Sequence, residues 1–148
     1  MPVQYTIYKE QRLVVSTGDG RLTFDDVRAH QDRLLSDPDF NPEFDQLMDF
    51  TRFTDVDLSV SEIRMAANRK LFSPTSRRAL VVAGTFMYGM ARMFQAYYEM
   101  SKTASPSGVF RDLPSALKWL GREKLPVLAH DETKRPDTAE DEGKEKTA

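Results

Sequence analysis

Cysteine is absent from this chain of 148 residues, which excludes disulfides, thiolate nucleophiles and cysteine-bound metals and fits a reducing compartment. Histidine is scarce. His30, near the inward face of the first helix, reads as a partly buried structural histidine, and with only it and His130 in the tail a zinc site would need carboxylates at positions that nothing in the sequence suggests. No run of about 18 apolar residues occurs, and the N-terminal MPVQYTIYKE has no basic segment followed by an apolar one, so neither a membrane-spanning helix nor a secretory signal is predicted. An excess of one charge is missing too. The formal charge is −2, and residues 122 to 148 hold six of the 21 basic and eight of the 23 acidic residues, leaving fifteen of each sign in residues 1 to 121. A neutral body offers no electrostatic footprint for nucleic acid or anionic lipid. The expectation is a cytoplasmic protein that binds neither.

Phosphate-cradling patterns are also lacking. Gly18-Asp19-Gly20 has neither the GxxxxGK[ST] nor the GxGxxG spacing and reads as turn chemistry that breaks a strand. Acid-base catalysis needs titratable groups converging in a cleft, and no such set stands out. Asp49, Asp55 and Asp57 resemble a Mg2+ cluster, yet that octahedral ion usually requires a substrate phosphate or a tight set of oxygens. The sequence therefore predicts no enzyme, no cofactor and no metal.

What is present is a core: 40% of the residues are hydrophobic and 10% aromatic, enough for one domain of this length. Gln4 to Lys9 alternates and Arg12 to Thr17 carries Leu13, Val14 and Val15, which predicts a hairpin through Glu10-Gln11. Thr23 and Asp26 match a capping box opening a helix with Phe24, Val27, Leu34 and Leu35 inward, ending before Pro38. Gln46 to Phe50 reads as a third strand. A second helix starts near Ser59, with Val60, Ile63, Ala67 and Leu71 inward and Pro74 closing it. Arg77 to Ala83 ends in the apolar run of a strand covered on both faces. Thr85 to Met100 is a third helix, Val109-Phe110 a short strand, and Asp112 caps a last helix that Gly121 stops. Residues 122 to 148 lose apolar periodicity and read as a charged, disordered tail. Strands alternating with helices imply right-handed crossovers and a mostly parallel sheet with an antiparallel hairpin strand at one edge.

Two segments stand out. In DFTRFTDVDLSVSEI, Ser59 and Glu62 have the spacing of a capping box, worth about 1 kcal/mol, while the same hydroxyl-rich junction could take a phosphate on a helix N-terminus. In TFMYGMARMFQAYYEM, Phe86, Met90, Met93, Phe94, Tyr97 and Met100 cluster at helical spacing, with Met87, Ala91 and Tyr98 widening one edge. That arc exceeds the roughly 100° of a core-facing stripe. Three readings fit the surplus: core packing, a self-association surface, or the wall of an apolar ligand pocket, for which adaptable methionines are suited. Arg92 and Gln95 fall on the polar side.

The order of elements, together with LMDFTRFTDVDLS, RRALVVAG, YGMARMFQ and VFRDLPSALKWLG, resembles the SpoIIAA-like (STAS-like) family of small bacterial proteins over about residues 3 to 121. The resemblance implies a five-stranded, mixed and mostly parallel sheet with about four helices, akin to anti-sigma-factor antagonists and more distantly to lipid-binding SEC14-type domains. In phosphoregulated antagonists an Asp-rich turn presents a serine at the next helix start. Asp49, Thr54, Asp57 and Ser59 fall in the comparable stretch, although Leu58 and Val60 flank Ser59 where the antagonists carry small residues and glycine. The resemblance, taken with these two segments, points to a non-enzymatic interaction or regulatory module, with Asp49, Thr54, Asp57 and Ser59 as a phosphoacceptor or partner surface and Met87, Tyr88, Met90, Arg92, Phe94 and Tyr98 facing a protein interface, a second copy of the chain, or a ligand. The alternative is a carrier or sensor of a small apolar, lipid-like molecule.

Overall fold

The computed structural model describes residues 3–100 and 105–123. His130 and all but the first two residues of the expected tail lie outside them. The chain runs β1 (Val3–Tyr8), β2 (Leu13–Thr23), α1 (Phe24–Ser36), β3 (Asp45–Asp57), α2 (Val60–Asn68), β4 (Arg78–Val81), α3 (Thr85–Glu99), β5 (Ser107–Phe110) and α4 (Leu113–Trp119). The five strands lie side by side in chain order, β1 antiparallel to β2 and every other pair parallel. This is the mixed, mostly parallel α/β sheet that the alternation of strands and helices predicts.

Strand parity sorts the side chains into two layers. Leu13, Val15, Leu47, Ala79 and Val81 point to one face and pack under α4 through Ala116, Leu117 and Leu120. Val14 and its same-face neighbours meet the α1 side of the molecule, where Leu34, Phe44, Leu71 and Phe72 are buried. Farther along, Val3, Leu22, Phe53 and Val82 pack with Met87 and Ala91 of α3. So β4 is apolar throughout its centre because both its faces are covered.

Capping fixes the helix starts. Thr23 and Asp26 form a reciprocal capping box at α1, Ser59 and Glu62 form another at α2, and the Asp112 carboxylate accepts from the Ser115 N–H at α4. Phases differ in places from the sequence reading. Leu35 is exposed, because α1 turns Val27, His30, Gln31 and Leu34 inward and Leu35 stands about 100° off that stripe. Val60, at the first helical position of α2, is also exposed. The helix ends at Asn68, and Leu71 is buried from the following loop instead.

The larger correction concerns β2 and β3. Gly18-Asp19-Gly20 does not end β2, and β3 does not stop at Phe50: the two strands stay paired through Thr23 and Asp57. The register shifts between Thr17 and Asp19 and again between Gly20 and Arg21, and Gly20 takes φ +82° at the second step. Glycine here marks a bulge within a strand, a use of its positive φ that the sequence does not separate from a turn. Cross-strand charge explains the rest: Arg21 lies 3.5 Å from Asp55 and 3.0 Å from Asp57, and Arg52 lies 3.7 Å from Asp19. The acid-rich segment is a ribbon with paired charges on its outer side.

Candidate ligand-binding site

Between the sheet and helices α1, α2 and α3 lies a partly open pocket of about 110 Å³. Register sets its polarity. Gln46 sits beside Arg78 across β3 and β4, and the next same-face row is Met48 beside Leu80. Phe50 and Val82 follow two residues on, so the lining is polar near the strand starts and apolar toward their C-terminal ends. Val27 of α1, Ile63 and Ala66 of α2, and Met87, Met90, Ala91 and Phe94 of α3 complete the apolar wall.

The polar end is a connected chain. Arg78 Nε donates to Gln46 Oε1 at 3.0 Å, Gln46 Nε2 donates to Ser16 Oγ at 3.2 Å, and Ser16 Oγ lies 2.9 Å from His30 Nε2. All four residues are buried. The arrangement gives Ser16 one accepted proton and leaves its own to donate to an unprotonated His30 nitrogen. His30 is held neutral: burial first, then the charges of Arg33 and Arg78, lower its pKa to about 4. Gln31 closes the α1 side, donating to Ala66 O at 3.3 Å.

Arg78 is the unusual member. Its residue is 8% exposed, its guanidinium carbon stands 4.7 Å from the Phe72 ring centre and 4.9 Å from that of Tyr98, and no carboxylate among the described residues pairs with it. Two aromatic faces stabilise a desolvated cation by about 2 kcal/mol each without neutralising it. The Tyr98 hydroxyl is hydrogen-bonded to Ser105. Burial alone would raise the Tyr98 phenol, but the Arg78 charge and the bonds to Ser105 and Arg78 outweigh it and bring it below its usual value.

The residues singled out on α3 divide. Met87, Met90 and Phe94 line the cavity and Tyr98 stands at its polar end beside Arg78. Tyr88 lies under Arg111, 4.2 Å from ring centre to guanidinium carbon, and Arg92 is exposed. Phe86 and Met100, which the helical wheel puts among the clustered apolar residues, are 61% and 76% exposed. The inward stripe is instead Met87, Ala91, Phe94 and Tyr98, because small Ala91 lets the helix approach the sheet.

The junction residues are not brought together. Asp49 lies at the end of the pairing with β4 and accepts from the Thr51 hydroxyl at 2.7 Å. Asp57 is eight residues farther along the same strand, about 25 Å at extended spacing, beside Arg21. Between them, Thr54 is exposed and donates to Gly20 O at 3.4 Å. Ser59 Oγ accepts from the Glu62 N–H at 3.1 Å, and Glu62 Oε1 accepts from the Ser59 N–H at 3.0 Å.

The architecture is that of a solved protein: an uncharacterised member of the DUF3478 family from Shewanella loihica PV-4, described as having a SpoIIAA-like fold. The match has a TM-score of 0.53 at 21% identity and covers 80% of this chain and 93% of that one. The fold is SpoIIAA-like. No family model matches the chain, and no curated protein matches it. Among the described residues no His, Asp and Glu cluster is placed to hold a metal, and no helix is long and apolar enough to cross a membrane.

Sequence reasoning missed Ser16, Gln46 and Arg78, and reached His30 only as a buried structural histidine. A signal was there. Each of the three strand residues is a polar side chain at a core-facing parity within an otherwise apolar strand (LVVS, QLM, RALVV), where a buried polar network or a ligand is required.

Proposed function

We propose that this SpoIIAA-like protein is a carrier or sensor of a small apolar molecule, held between the sheet and helices α1 to α3. The supporting observation is the cavity itself. A pocket of about 110 Å³ with a mostly apolar lining leaves those side chains without packing partners on one side, at a cost in dispersion energy. A bound ligand offsets that cost. A closed apolar cavity of about 150 Å³ admits benzene; this smaller pocket is open on one side, so it takes part of a larger guest and leaves the rest at its mouth. Methionines 48, 87 and 90 in the wall suit it to guests of differing shape.

The interaction-module reading draws on a different feature, the exposed Val60 and Met65 of α2 and Phe86 of α3. In that reading the hydroxyls of residues 51 to 61 are the site of modification, although Ser59 is engaged in its cap.

Native mass spectrometry of freshly purified protein separates the two. A carrier gives a non-covalent adduct lost on denaturation, or a rise in melting temperature with small aromatic or aliphatic compounds, since a ligand that binds the native state alone stabilises by mass action. A bare dimer, or a covalent phosphate within residues 51 to 61, with no response to any such compound, overturns the carrier reading.

A further inference from the structure

The cavity's one cationic side chain among its described lining residues carries an inference about ligand class, resting on the carrier reading above. Arg78 reaches the site from β4 with its Nε committed to Gln46, its guanidinium carbon over two rings, and no acidic partner among the described residues. Removing a charge from water costs several kcal/mol unless an opposite charge and hydrogen bonds compensate. Cation–π contacts and the bond to the Tyr98 hydroxyl recover part of that, and the remaining Nη N–H groups lie in the guanidinium plane, where a carboxylate oxygen accepts from them.

The remaining lining decides between anions. Among the described lining residues there is no Lys, no second Arg and no carboxylate. His30 is buried in the hydrogen-bonded chain through Ser16 and Gln46. A single positive charge balances a monoanion; a phosphate monoester would bring close to two negative charges into an apolar site with one counter-charge. The apolar rows of Met48, Leu80 and Phe94 then receive the uncharged body. We infer that the ligand is a small carboxylic acid, its carboxylate on the Arg78 guanidinium and a single aryl ring or a short alkyl chain in the apolar part of the cavity.

The test is calorimetric titration of the full chain with two probes of like size, 3-phenylpropionate and 3-phenylpropanol, at neutral pH. The inference expects the acid to bind the wild-type protein at least tenfold more tightly than the alcohol. In Arg78→Met the preference disappears: the acid loses tenfold or more while the alcohol binds as well as before. Arg78→Lys keeps the charge without the planar fork and recovers part of the preference. Equal binding of acid and alcohol to the wild type overturns the assignment of Arg78 and leaves the carrier reading standing. Binding of neither, to a wild-type protein shown to be folded by its thermal transition, overturns both. The wild-type comparison alone decides the inference if Arg78→Met fails to fold.

Discussion

His30 shows at the scale of one side chain how the polar end of the cavity is tied to stability. Its imidazole is buried, meets the Tyr5 ring edge-on and accepts no charge at neutral pH, its pKa lowered to about 4 by burial and by Arg33 and Arg78. The unfolded chain protonates this group near pH 6.5, the folded one only near pH 4, so between those values the unfolded state binds more protons. The stability this group contributes is therefore present above about pH 6.5 and lost as pH falls toward 4. Urea unfolding at pH 7 and pH 4.5 should show wild-type protein losing about 2.5 kcal/mol more than His30→Gln, in which the side chain no longer titrates. Equal losses would mean that His30 is not buried neutral. The sequence predicts a partly buried structural histidine here, and its burial was legible from helical spacing. Its partners were not, because Ser16, Gln46 and Arg78 come from three different strands and are joined only by the register of the sheet.

Elements were legible where local chemistry decides them. The Thr23–Asp26 and Ser59–Glu62 boxes and the Asp112 cap are short-range patterns, and the structure starts helices at all three. Since Ser59 closes its box with both hydrogen bonds, Ser59→Ala should cost about 1 kcal/mol, a fall of about 4 °C in melting temperature, whereas Ser59→Asp, which caps as well, should melt like the wild type. A scan of the three proteins checks this, and an unchanged Ser59→Ala would show that the cap contributes nothing. Where long-range pairing decides, the sequence was less informative. Residues 51 to 57 carry acidic and hydroxyl side chains that read as a turn, yet they form a strand because Arg21 and Arg52 reach across to them and Gly20 supplies the bulge. The same limit applies to α3, whose two overlapping apolar stripes are equally good on a wheel and are told apart by where Ala91 can approach the sheet.

For the molecule as a whole, the described chain ends in a clasp. Arg122 Nη1 donates to Asp45 at 2.8 Å and Nη2 to Gln11 O at 2.7 Å, in a half-buried pair that joins the segment after α4 to the first hairpin and the start of β3. Arg122→Ala leaves Asp45 without its guanidinium and should lower the free energy of unfolding by about 2 kcal/mol, read as a drop in urea midpoint at constant slope. The sheet itself has a simple logic that the alternation of elements does not give: the spatial order of the strands repeats their order along the chain. On a ribosome, each strand therefore emerges to find its neighbour already in place, and no strand has to wait for one not yet made. Synthesis can extend the sheet one edge at a time, from the hairpin outward. What cannot form early is the bond from Arg122 back to Gln11, 111 residues upstream, so the nascent domain grows progressively but latches only when its last turn leaves the exit tunnel.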